Sequence, residues 1–170
     1  MTTGRTLVLL RHAKSDWDGE EADIDRPLAR RGRREAPEAG RWINHNLPTL
    51  DLAVVSPALR ARETWDLVAA ELGSAPAVIV ADRVYAASVD DLLAVVRGLP
   101  TEVATVLLVG HNPGLEELAH VLTGGLVPMP TSAIAVLDSG GDWLTLSEAV
   151  LRASGRPPAT AGPIDGVRPC

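Results

Sequence analysis

The feature that most constrains this chain is a run near its N-terminus, Thr6-Leu7-Val8-Leu9-Leu10, which is apolar without alternation and stops abruptly at Arg11-His12. A strand with one face in water alternates. An unbroken apolar run bounded by polar residues instead reads as a strand covered on both faces, the central strand of a parallel sheet. In such sheets ligands bind in the crevice beyond the carboxyl ends of the strands, so Arg11 and His12 fall where chemistry is expected. An imidazole there serves as base, acid or nucleophile, and an adjacent guanidinium, permanently charged and forked, recognises phosphate bidentately. The pair suggests phosphoryl transfer; its bland reading is a solvated strand end.

Other segments decide between these readings. Leu52-Ala53-Val54-Val55 is a second strand, ending at Ser56-Pro57, which reads as an N-cap with proline at the first helical position. The following helix carries Arg60 and Thr64 on one face, four residues apart, with Arg60 in the first turn beside a helix N-terminus that favours anions. Ala77-Val78-Ile79-Val80 is a third strand, leading to a helix capped by Ser88 and closed by Gly98. Val103-Ala104-Thr105-Val106-Leu107-Leu108-Val109 then ends in Gly110-His111-Asn112-Pro113-Gly114, with Asn112 expected as N-cap of the next helix. Strand, histidine, helix thus occurs twice, and a second histidine at a second strand's carboxyl end argues against coincidence.

Between the first two strands, Asp18 to Asp25 is acidic and aperiodic, a loop over the strand ends. Arg26-Pro27-Leu28 leads into a helix with Ala36, Ala39, Trp42 and Ile43 on one face, in which Pro37 is tolerable only in the first turn. Arg26, Arg30, Arg31, Arg33 and Arg34 form a basic cluster, either a solvated helix start or an attractor for an anionic substrate. Ala133 to Leu137 and Trp143 to Leu146 read as a hairpin at one sheet edge. From Ala153 onward Pro, Gly, Ser and Thr dominate, so residues 1–152 are expected to form one domain and 153–170 a flexible tail. The fold class expected is α/β, three layers α/β/α, with a mostly parallel sheet and an antiparallel edge hairpin.

Composition limits the function classes. A chain of 170 residues with 46% hydrophobic content suits a single domain, and a formal net charge of -6 argues against a general nucleic-acid surface. The single cysteine, Cys170, excludes a disulfide framework and a cysteine metal site, and suits a reducing compartment. No apolar run approaches the roughly 18 residues of a membrane span, and the first strand is too short for a signal-peptide core, so the cytoplasm is the expected location. His45 and His120 read as surface residues.

Taken together, Leu10-Arg11-His12-Ala13-Lys14-Ser15, Arg26-Pro27-Leu28 with Arg31-Gly32, Val55-Ser56-Pro57-Ala58-Leu59-Arg60-Ala61-Arg62-Glu63-Thr64 and Val109-Gly110-His111-Asn112-Pro113-Gly114 resemble the histidine phosphatase superfamily, phosphoglycerate mutase-like in fold, most nearly its SixA-like phosphohistidine phosphatase branch. The resemblance spans about residues 6 to 137. It implies that His12 is the nucleophile that becomes phosphorylated, that Arg11, Arg60 and His111 hold the phosphoryl oxygens, and that no metal or other cofactor is needed; Arg62 does not match the motif. Lys14, Ser15, Asn112 and Ser132 are further candidates for phosphate or substrate contacts. The surrounding charges of Arg11, Arg60 and Lys14 are expected to keep His12 neutral for attack.

Mutase-like and small-molecule phosphatase members supply a carboxylic general acid after the third strand, where this chain offers only Asp82, Tyr85 and Ser88. An alkoxide needs a proton on departure, whereas the imidazole of a phosphohistidine leaves already protonated, so the missing acid tilts the reading toward a phosphohistidine-containing protein as substrate. The alternatives are a metal-independent phosphatase of small phosphorylated substrates such as nucleotide or sugar phosphates, with Asp16, Asp18 or Asp25 as loop acids, and a non-catalytic phosphate-binding module.

Overall fold

The computed structural model describes residues 4–157. Six strands form one sheet: β1 (Arg5–Arg11), β2 (Leu52–Val55), β3 (Ala77–Val80), β4 (Thr105–Gly110), β5 (Ile134–Ser139) and β6 (Val150–Gly155), in the order β3-β2-β4-β1-β5-β6. β1 to β4 are mutually parallel, while β5 runs antiparallel to β1 and β6 antiparallel to β5. The expected three-layer α/β/α class is the observed one.

The apolar run of β1 is buried on both sides because helices cover both faces. Leu7 and Leu9 point into a core with Leu52, Val54, Val106 and Leu108, closed by α3 (Val89–Arg97) and α4 (Gly114–Thr123). Val8 and Leu10 point the other way, toward Ala53, Val55, Leu107 and Val109, under α1 (Arg30–Asn46) and α2 (Leu59–Ala69). The period-two alternation of a strand thus splits one sequence run between two cores. Among the described residues no helix is long and apolar enough to cross a membrane.

Several local expectations are corrected. Pro37 lies in the interior of α1, not its first turn; it removes the amide that would bond the Arg33 carbonyl, and the helix continues because Gly32, Ala36, Ala39, Trp42 and Ile43 bury its other face. The hairpin partner of β5 is Val150–Gly155; Trp143–Thr145 is a 3-10 turn whose indole is buried and donates to the Val103 carbonyl at 2.8 Å. Burial of one large aromatic outcompetes the β propensity of that stretch. Strand β6 consequently carries order through Gly155, past the expected start of the tail; the remainder of that tail from residue 158 lies outside the described residues.

Register positions the site. Arg11 pairs with Gly110, so the two central parallel strands end level, and the His12 amide donates to the Gly110 carbonyl at 3.0 Å. β2 ends at the same height, Val55 opposite Val109, with the Ser56 amide donating to the Val109 carbonyl at 3.0 Å. Three adjacent strands therefore deliver His12, His111 and the start of the Arg60 helix to one edge.

Candidate active site

A cleft of about 230 Å3 opens at that edge, lined by Arg11, His12, Lys14, Ser15, Trp17, Arg26, Arg60, His111, Asn112 and Thr131. The rings of His12 and His111 lie 5.1 Å apart, tilted by 52°. His12 is buried, and its Nδ1 lies 2.8 Å from the Ala13 carbonyl. A carbonyl oxygen only accepts, so Nδ1 carries the proton and Nε2 the lone pair. Burial above all, with smaller electrostatic contributions from His111, Arg60 and Arg11, lowers the His12 pKa to about 3, against the opposing hydrogen bond to Ala13. The imidazole is thus neutral at physiological pH, as expected from the sequence, but desolvation rather than charge is the main cause, and Lys14 is not among the causes.

His111 is held from the other side. Its Nε2 lies 2.6 Å from Ser56 Oγ, and Ser56 Oγ accepts from the Ala58 amide at 3.3 Å. The contact with Ser56 fixes the orientation of the His111 ring. Ser56 is therefore no N-cap: α2 starts at Leu59, with Ala58 in the cap position and no side-chain cap. Burial, followed by Arg60, lowers the His111 pKa to about 4, with Asp23 opposing.

Arg60, in the first turn of α2 as expected, is buried. Its backbone is fixed by Thr64, whose hydroxyl donates to the Arg60 carbonyl at 2.7 Å and accepts from the Ala13 amide at 3.0 Å, tying the His12 loop to the helix. Arg62, on the outer face, is exposed and donates to the Pro57 carbonyl. Arg11 donates from one terminal nitrogen to the Met129 carbonyl at 3.1 Å. The Nε atoms of Arg11 and Arg60 and Nδ1 of His111 are buried without a protein partner among the described residues. The two guanidinium N–H groups are donors, and donors in that state suit an incoming oxyanion.

The weaker candidates separate. Lys14 lines the cleft. Ser15 lines it too, but its hydroxyl accepts from Arg26 at 2.8 Å. Asn112 bridges Glu116 Oε1 and the Met129 carbonyl as a donor rather than capping α4, which begins at Gly114. Ser132 is fully buried beside the His12 loop; its amide donates to the Arg11 and His12 carbonyls, its φ is 65°, and it does not line the cleft. Of the basic cluster, only Arg26 enters the site, buried; Arg30, Arg31, Arg33 and Arg34 are exposed on α1. His45 and His120 are exposed.

None of Asp16, Asp18, Asp25, Asp82 or Ser88 lines the cleft. The carboxylate that pairs with the cleft's arginines is one the sequence reading missed, Asp23, on a 3-10 turn of the acidic loop; it does not itself line the cleft. It accepts from Arg60 at 3.1 Å, from Arg26 at 3.1 Å and from the Tyr85 hydroxyl at 2.6 Å. The Tyr85 hydrogen bond, with Arg60 and Arg26, lowers its pKa to about 2, and the same bond raises that of Tyr85.

A sequence profile of the histidine phosphatase superfamily (branch 1) matches residues 7–84. The Mycobacterium tuberculosis protein Rv1276c, itself uncharacterised, is 40% identical over 145 residues, covering 79% of this chain and 89% of its own. A Nakamurella multipartitia structure assigned as phosphohistidine phosphatase SixA superposes with a TM-score of 0.83 at 32% identity, covering 91% of this chain and 96% of that one. The chain belongs to the histidine phosphatase superfamily. A protein histidine phosphatase SixA complexed with tungstate matches at TM-score 0.77 and 26% identity, over 89% of this chain and 97% of that one. Membership makes the cleft of this histidine phosphatase family member its candidate active site.

Proposed function

We propose that this protein is a phosphohistidine phosphatase working through a covalent phosphohistidine at His12. The observation that carries the reading is a buried, neutral imidazole with Nδ1 protonated and Nε2 free, in one cleft with Arg11, Arg60 and a second neutral imidazole. His12 Nε2 attacks phosphorus, the P–N bond to the enzyme forms and the bond to the leaving group breaks. Charge on the equatorial oxygens is balanced by the Arg11 and Arg60 guanidiniums, with His111 beside them. Water then attacks the phosphorus, releasing inorganic phosphate and His12. Binding of tungstate, a phosphate-like oxyanion, by the SixA structure supports an anion site of this kind.

The state of Asp23 bears on the substrate. With its pKa at about 2 it is an anion at neutral pH, engaged by two arginines and a tyrosine, and so is poorly suited to protonate an alkoxide. A leaving imidazole brings its own proton, which favours phosphoramidates over sugar or nucleotide phosphates. The test is kcat/KM over phosphate esters of graded leaving-group pKa beside a phosphohistidine peptide, in the parent and in Asp23→Asn. A steep dependence in both proteins, with the phosphohistidine peptide preferred and chelators without effect, is expected. A flat dependence in the parent that steepens in Asp23→Asn would make Asp23 a general acid and favour the small-ester reading.

A further inference from the structure

Among the residues lining the cleft, one is apolar: Trp17. It is 68% exposed, whereas Trp42, Trp65 and Trp143 are exposed by 3%, 6% and 1%. Its ring is nevertheless held, because the Arg26 guanidinium carbon sits 3.5 Å from the ring centroid, a stacked cation–π contact. Arg26 is itself buried and anchored by Asp23 at 3.1 Å, by Ser15 at 2.8 Å and by the Asp16 carbonyl at 3.3 Å. One face of the indole is thus docked on an immobile cation, which leaves the opposite face to solvent at the mouth of the cleft.

We propose that the exposed face of Trp17 is a stacking platform for a planar leaving group, so that the site selects phosphoryl donors whose leaving group is aromatic or heteroaromatic. The proposal takes the location of the phosphoryl group from the phosphatase reading. Charged and polar side chains occupy the rest of the lining, and they serve the phosphoryl oxygens. The part of the substrate beyond phosphorus has to leave past the rim, where the indole offers it an apolar surface. Stacked or edge-on ring pairs with centroids 4.5–7 Å apart contribute beyond their buried area. An imidazole presented by another protein, or an aryl group, gains from that contact; an ammonia or hydroxyalkyl leaving group does not.

Two measurements test it. The first compares kcat/KM for a phosphohistidine peptide with that for phosphoramidate, whose leaving group is ammonia. Trp17→Leu lowers this ratio by about threefold to tenfold, the range expected for one lost aromatic pair, and Trp17→Phe retains it. The ratio cancels any disturbance of the phosphoryl clamp through Arg26, so an unchanged ratio in Trp17→Leu overturns the platform. The second needs no turnover. Since Trp17 is the one exposed tryptophan of the described residues, acrylamide quenching of the fluorescence reports on it; phenylphosphonate shields it and methylphosphonate at the same concentration does not. Equal shielding by both, or none by phenylphosphonate, overturns the platform. Selective shielding in a protein that turns over neither substrate refutes the phosphatase reading and leaves the platform standing.

Discussion

His12 and His111 are kept neutral mainly by burial, and burial has a consequence for stability. An unfolded imidazole ionises near pH 6.5, whereas in the folded protein the two ionise at about 3 and about 4. Above about pH 6.5 both states are neutral and stability is independent of these groups. As pH falls below that value only the unfolded chain takes up the protons, so stability is lost until the folded pKa values are reached, by at most about 1.4 kcal/mol per pH unit for each histidine. His12→Asn therefore loses stability more gently than the parent between pH 6.5 and 4, read from urea midpoints; parallel curves contradict the account. Thr64 supplies a second test, because its hydroxyl serves both Ala13 and Arg60. Thr64→Val leaves the buried Ala13 amide without an acceptor, costing about 1–3 kcal/mol, and lowers kcat more than it raises KM; a kcat equal to the parent's would exclude a positioning role. At this scale the sequence was informative where residues sit at strand ends. Arg11, His12 and His111 were legible for that reason, and Arg60 from its place in the first turn of the helix after β2. Asp23 was not, since its partners Arg60 and Tyr85 are separated from it by 37 and 62 positions and only the fold brings them together.

Elements with a continuous apolar run or a strong cap were readable, and those defined by a contact were not. β1 and β4 followed from their hydrophobic runs, and α3 from Ser88, whose capping box with Asp91 is present. Ser56 and Asn112 looked like caps because their residue types favour that place, yet His111 in one case and Glu116 with Met129 in the other claim their side chains. β6 was unreadable because Val150–Gly155 carries no alternation and its first three residues are exposed; pairing with β5 makes it a strand. The start of α1 illustrates the same dependence. A Cβ at Gly32 would lie 2.1 Å from the Lys14 carbonyl oxygen, a backbone atom unable to swing aside. Gly32→Ala accordingly forces α1 away from the loop that carries His12 and Lys14, destabilising the protein by about 1–3 kcal/mol and reducing turnover together with Tm. An unchanged Tm and activity in that variant would show that the close approach is not required.

The whole molecule assembles the candidate site by ending three parallel strands at one level with helices packed on both faces. The fold class was legible because alternating strands and helices leave few ways to cover a doubly buried sheet, and the site was legible because a parallel sheet has one chemically useful edge. Everything proposed about the reaction rests on His12 as nucleophile. The direct test is brief incubation with a phosphoryl donor labelled on phosphorus, rapid quenching at alkaline pH, where phosphohistidine persists, and mapping of the label. The account predicts a single acid-labile phosphohistidine at His12, formed and lost at rates consistent with turnover and absent from His12→Ala, which does not turn over. Label on another residue, or turnover near the parent's rate by His12→Ala, would contradict it.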